Sequence, residues 1–218
     1  MKLLSIKYPI SVILASLFFI CLTVHGQNKL QFEQVKIGDQ VWMSKNLAVK
    51  HFRNGDAIPQ AKSREEWMEA GANCTPAWSH YQNIEQIEGD IGILYNWFAV
   101  TDPRGLAPAG WRIPTVNDFE LLANALGGNE VAGKELKSDQ TWYKGGNGTN
   151  ASGFNGIPSG SRDFEGYFYH VLQTKFMWTL DAYDDLNAWY FYLEYIDDTL
   201  KKYGASKNMG MSVRCIKL

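Results

Sequence analysis

One apolar run in this chain is long enough to concern a membrane, and it stands at the very start, which excludes a protein that threads a bilayer repeatedly. Basic clusters are missing. The 21 Lys and Arg residues stand against 23 Asp and Glu, a formal net charge of −2. Such a chain lacks the positive field with which a dedicated nucleic-acid binder meets phosphate. Histidines number 4 and cysteines 3, with no metal-ligand spacing among them, so no zinc centre is expected. Proline- or serine-rich linkers are absent, as are repeats with a period of about 20–50 residues, and a single domain remains. Aromatics are plentiful. The 8 Trp, 11 Tyr and 11 Phe residues carry more apolar surface than a disordered chain offers.

The first segment reads as an address. Lys2 and Lys7 supply positive charge, residues 10–22 are almost wholly apolar, and Thr23 to Gly26 bring small residues to the exit. This order predicts a secretory signal over 1–26, with 27–218 as the mature domain. The rival is a retained anchor, because residues 8–24 lie at the short limit of a spanning helix, about 17–25 residues. Cleavage is the preferred reading; it leaves no transmembrane segment and directs the domain to the envelope or the medium. Cys21 leaves with the signal, so Cys74 and Cys215 remain. In an exported protein two cysteines form one disulfide or stay as thiols, and both readings stand.

Short β signals dominate the mature part. Residues 32–37 and 40–47 flank Gly38 and Asp39, a turn pair that predicts a hairpin. Residues 176–180, 188–196 and 211–218 are β-branched or aromatic and read as strands. Helices are expected over 63–70, where Ser63 and Glu66 form a capping box, over 115–126 behind a Thr115 cap with Asp118, and over 130–137. Residues 142–166 are rich in Gly, Asn and Ser and read as loop. The fold class is α+β.

Chemical motifs are thin. Residues 128–134 have the spacing of a phosphate-binding loop, but Glu135 stands where the Mg²⁺ ligand belongs, and residues 146–151 imitate a dinucleotide fingerprint with no helix behind them. No acid–base pair or activated nucleophile can be assembled, so no enzyme and no cofactor are expected. Asp181, Asp184 and Asp185, or Asp197 and Asp198, are the only groups that suggest Ca²⁺, and turn chemistry explains them as well. Trp142, Tyr143, Tyr167 and Tyr169 border the long loop, with the turn 181–187 beside it, and Trp142, Tyr143, Asn147, Asn155 and Arg162 stand out there. Aromatic faces stack on sugars or peptides while amides and guanidinium fix orientation, so these five form the expected ligand site. The plainer reading has them bracing the loop, and Phe154 is expected to do so.

Several longer words carry a resemblance. VKIGDQVWM at 35–43, KNL at 45–47, IGILYNWFAV at 91–100, GLAPAGWRIPT at 105–115, GFNGIPSGSR at 153–162 and SVRCIK at 212–217 follow one another in the order of the Fibrobacter succinogenes major paralogous domain. The chain resembles that family over nearly all of its mature length. The resemblance implies an exported protein of Bacteroidetes-type bacteria and no established activity. Trp111 to Thr115 with Val213 to Cys215 is more distantly similar to the sulfatase-modifying (formylglycine-generating) family. That similarity implies a C-type-lectin-like fold in which the chain ends share a sheet. The paired active-site cysteines of that enzyme and the Ca²⁺- and sugar-binding words of C-type lectins are missing, so fold is implied without mechanism. The expected role is a noncatalytic module at the bacterial envelope that binds glycan or extracellular protein; the alternative is an assembly partner of an envelope complex.

Overall fold

Gly38, at φ +57°, closes the hairpin between β1 (Gln34–Ile37) and β2 (Gln40–Met43), with Ile37 opposite Gln40. A left-handed turn residue beside Asp39 gives the twist that flanking strands need. The computed structural model describes residues 32–83 and 91–218, and the signal expected over 1–26 lies outside them. Helix α1 (Arg64–Ala72) starts on its capping box: the Ser63 hydroxyl accepts from the Glu66 N–H, and the Glu66 carboxylate accepts from the Ser63 N–H. β3 (Trp78–Ser79) pairs with β4 (Leu94–Tyr95), and α2 (Trp97–Val100) follows behind an Asn96 cap.

β5 (Trp111–Arg112) leads into α3 (Val116–Ala125), whose first turn is locked from two sides. Thr115 and Asp118 form a second capping box, and Arg112 donates to both Asp118 oxygens at 2.5 and 2.7 Å. α4 (Asn129–Leu136) comes next. The strands β6 (Ser159–Arg162), β7 (Phe168–Val171), β8 (Thr174–Ala182), β9 (Asn187–Glu194) and β10 (Lys201–Ser206) then build a five-stranded sheet in the order β10-β9-β8-β6-β7. The chain closes with β11 (Ile216–Lys217) in a second sheet, ordered β1-β2-β11-β5. The protein is thus α+β, and its N-terminal hairpin and C-terminal strand share one sheet. Among the described residues no helix is long and apolar enough to cross a membrane.

The core lies in two blocks. Phe119 and Leu122 of α3 and Ala132 and Leu136 of α4 pack with Trp42, Phe154, Phe191 and Leu193. Trp178, Tyr95, Trp111, Val213 and Cys215 centre the other. The segment 211–215 runs between the sheets, where Tyr95 N–H donates to the Met211 carbonyl, Trp178 N–H to Ser212 and Leu47 N–H to Val213. Such shared pairing explains why the terminal strand, expected over 211–218, is regular only at Ile216–Lys217.

Two further expectations are corrected. The region 142–166 is not all loop, since β6 lies inside it. Ser159-Gly160-Ser161-Arg162 has no β-forming side chains; its strand comes from antiparallel pairing with β7 and a parallel bridge to β8 at Lys175. Gly160, at φ +64°, is needed there because a Cβ would meet the Tyr169 carbonyl oxygen. The disulfide reading for Cys74 and Cys215 also falls: both are free, Cys74 exposed and Cys215 buried. Cys74 sits in the turn after α1, while Cys215 packs beside Tyr95 and Trp178, where burial pushes its thiol up to about 12.

Asp118 gives the fold an acid limit. Burial works against its charge, but Arg112 and the Thr115 N–H and hydroxyl outweigh it and hold the carboxyl below its ordinary value. The folded state therefore binds this proton less readily than the unfolded chain, and the stabilisation present above pH of about 4 is lost as pH falls through the folded value. Asp118→Asn is expected to reduce unfolding free energy at pH 7 by about 1–3 kcal/mol and to flatten the acid limb, measured by urea titration at several pH values.

Candidate functional site

The five side chains expected to bind ligand do not form one surface. Trp142 is 4% exposed and packs in the α3–α4 core, where its indole N–H donates to Ser138 Oγ and the Gly156 carbonyl. Arg162 is fully buried, stacked against Trp67 and Phe168, and donates to the carbonyls of Ala61, Ser63 and Gly166. Burial draws its guanidinium down to about 10. Asn147 is exposed, but its side-chain oxygen accepts the Trp142 N–H and so shapes the loop. Asn155 is half-buried at φ +52°, with its N–H on Asn150 and its carbonyl facing Arg214. Only Tyr143 presents a ring, against Tyr195 at 5.4 Å.

Close backbone approach explains this. A Cβ on Gly146 would collide with the Tyr195 carbonyl, one on Gly148 with the Lys134 carbonyl, and one on Gly156 with the Leu136 carbonyl. These glycines let the loop lie flat on α4 and the end of β9, while Gly145, Gly153, Asn150 and Asn155 turn it at positive φ. Trp142 and Arg162 are braces, as Phe154 is.

The acidic groups are engaged as well. Lys137 is buried, and its ammonium lies 2.8 Å from the Asp197 carbonyl, 3.4 Å from the Glu194 carbonyl and 3.2 Å from an Asp198 carboxylate oxygen. Lys201 bridges Glu194 and Asp197 at 2.5 and 2.6 Å. Oxygens that suggested Ca²⁺ thus surround two lysines. Asp181 accepts the Val116 N–H, and Asp184 folds back on the N–H groups of Leu186 and Asn187. Among the described residues no group of three or more His, Cys, Asp or Glu could hold a metal.

A different surface gathers exposed chemistry. Register places Phe176 opposite Tyr192, Trp178 opposite Tyr190, and Tyr203 opposite Tyr190, so these rings share one face of the five-stranded sheet. Trp178 is buried, Phe176, Tyr190 and Tyr192 are half-buried, and Tyr203 is 65% exposed. Ring contacts continue across the sheet. Tyr192 and Tyr190 both meet Phe176, at 6.1 and 5.8 Å, and Phe176 meets His170 at 6.1 Å. His170 meets Tyr169 at 6.0 Å, and Tyr169 meets Tyr167 at 6.5 Å. His170 joins this run because its φ of +65° breaks the strand's alternation. Burial, then the neighbouring Tyr192, Tyr203 and Glu194, push the Tyr190 hydroxyl up to about 12, so the phenol stays a neutral donor. Flat aromatic faces with hydroxyl tips can stack on apolar ring faces and hydrogen-bond their edges.

The sequence pointed to Tyr167 and Tyr169 but not to the rest of this face, because Trp189 to Tyr192 is aromatic at every position. The signal was the alternation within it: tyrosines at 190 and 192, wholly apolar groups at 191 and 193.

An α+β scaffold with an aromatic sheet face defines the class. The Fibrobacter succinogenes major domain matches residues 35–217, and the chain belongs to that family. Neither curated proteins nor solved structures give a match.

Trp142→Ala is expected to lose about 3–5 kcal/mol of stability, as a buried aromatic truncation does, with a falling melting temperature in calorimetry. An unchanged melting temperature would contradict its role as a brace.

Proposed function

We propose that the chain is an exported, noncatalytic binding module that holds glycan on the aromatic face of its five-stranded sheet. The observation that carries the reading is the unbroken run of rings from Tyr167 to Tyr203, neighbouring centroids or cross-strand partners spanning β7 to β10. Rings repeated at such spacing suit a chain of sugar units, each offering an apolar face to stack and hydroxyls to bond. Two reactive groups are sealed away: Cys215, and Lys175, whose ammonium meets the Asn46 amide inside the core. That burial favours binding over catalysis.

A C-type-lectin-like fold is part of the same proposal. It is supported by the β1–β2 hairpin and the C-terminal strand β11 meeting in one sheet. Export rests on the charge and apolar pattern of residues 1–26.

A second reading, a partner in an envelope assembly, draws on Leu186 and Ile196, which are 76% and 64% exposed near the ends of β9. Exposed apolar side chains beside an aromatic face also suit a protein partner.

A glycan array with the purified mature chain separates the two. Specific sugar binding is expected, weakened at least about tenfold by Tyr203→Ala or Tyr169→Ala, the loss of about 1.4 kcal/mol of stacking. Both rings are substantially exposed, so the melting temperature should hold. An empty array together with co-purification of an envelope complex would overturn the glycan reading in favour of the second.

A further inference from the structure

At its β7 end the aromatic run opens into a cleft of about 420 Å³ whose walls include Lys62, Arg64, Gln82, Asn83 and Tyr167, with no carboxylate among the described residues that line it. We propose that this cleft receives an anionic group carried on a sugar, so that the ligand is an acidic, uronate-bearing polysaccharide. The inference rests on the glycan reading and adds the charge of the ligand.

Arg64 is the central feature. Its guanidinium lies 3.6 Å from the centre of the Tyr167 ring, and its Nε donates to the Glu165 carbonyl at 3.1 Å. Those two contacts fix the plane of the group while its two terminal nitrogens have no hydrogen-bond partner among the described residues. Gly166 makes the stack attainable: at φ +87°, its Cα passes so close to Arg64 that a Cβ would lie 2.9 Å from the Arg64 Cα. A planar cation held by stacking, with its fork exposed, is pre-organised for a carboxylate, which it can bind through two parallel hydrogen bonds. A surface arginine free to rotate would give up side-chain entropy for the same contact.

The surroundings support an anion. Lys62 adds a second mobile cation, and Arg162 adds positive field from behind while its own donors face carbonyls. The Glu65 charge acts on Arg64, and those of Glu66 and Asp163 act on Arg162, but the last two are also engaged by backbone. The Glu66 carboxylate accepts the Lys62 and Ser63 N–H groups, and Asp163 accepts the Tyr167 N–H. Gln82 and Asn83 form a wall in consecutive left-handed conformations, φ +51° and +56°. Two such non-glycine residues in sequence carry strain of the kind that gathers at functional sites. Their amides can bond hydroxyls next to the charged group. Tyr167 belongs to both features, so a sugar whose carboxylate meets Arg64 would continue directly onto Tyr169 and His170.

The test is calorimetric titration of the mature chain with oligogalacturonate, the same oligomer fully methyl-esterified, a sulfated oligosaccharide and polyglutamate. Free oligogalacturonate is expected to bind at least tenfold more tightly than the ester. Raising salt should shrink that difference, and Arg64→Gln, at an exposed position, should abolish it without moving the melting temperature. Equal affinity for acid and ester overturns the proposal and leaves the glycan reading intact. Preference for the sulfated sugar over the uronate keeps the anion site and overturns the uronate assignment. Binding of polyglutamate with no saccharide overturns both in favour of an acidic peptide, and no binding to any saccharide, array included, overturns the glycan reading itself.

Discussion

Arg214 ties the molecule together. Its guanidinium donates to the carbonyls of Met43 in β2 and of Phe154 and Asn155 in the long connection, and to the side-chain oxygen of Asn46. Asn46 in turn donates to the Ile91 carbonyl at 2.7 Å and accepts the buried Lys175 ammonium of β8 at 2.5 Å. One polar knot thus joins the end of the chain, the N-terminal hairpin, the five-stranded sheet and the loop over α4. Burial, and then the Arg214 charge, hold Lys175 well below its ordinary range. Buried polar groups of this kind stabilise little in net terms, but they fix which segments meet, because every alternative leaves a donor unmet in the core.

The knot also determines which surfaces stay open. With Phe154 and Asn155 held by Arg214, and the glycines at 146, 148 and 156 flush against neighbouring backbone, the long connection becomes part of the scaffold. Trp142 and Phe154 point inward, and Tyr143 keeps an exposed ring. The opposite consequence holds for β8 and β9, which pack on α3 and α4 through Met177, Phe191 and Leu193 and leave Phe176, Tyr190 and Tyr192 half-buried on the other face. One set of strands supplies core and aromatic platform because side chains alternate along them.

Features that depend on neighbours in sequence were legible in it. The hairpin at Gly38, the capping boxes at Ser63 and Thr115 and the strands around Trp178 and Phe191 follow from local turn, cap and periodicity rules. Features that depend on distant partners were not. β6 has no β-forming residues and owes its conformation to β7 and β8, and Trp142 resembles any loop-edge aromatic until α4 is set beside it. Cys74 and Cys215 could be paired or free by sequence; three-dimensional placement separates a surface turn from a buried strand edge. The aromatic face was hidden for a related reason, since a run of aromatics does not reveal which side of a strand the fold will cover.

Ligand is proposed on the sheet face and its cleft, away from the 142–156 connection. Mapping amide and aromatic-ring chemical shifts of the labelled mature chain during titration with oligogalacturonate tests that division most directly. Perturbations are expected at Arg64, Tyr167, Tyr169, His170, Tyr192 and Tyr203, with residues 142–156 unmoved. Shifts centred on Tyr143, Asn147 and Asn155, with the sheet face silent, would contradict it.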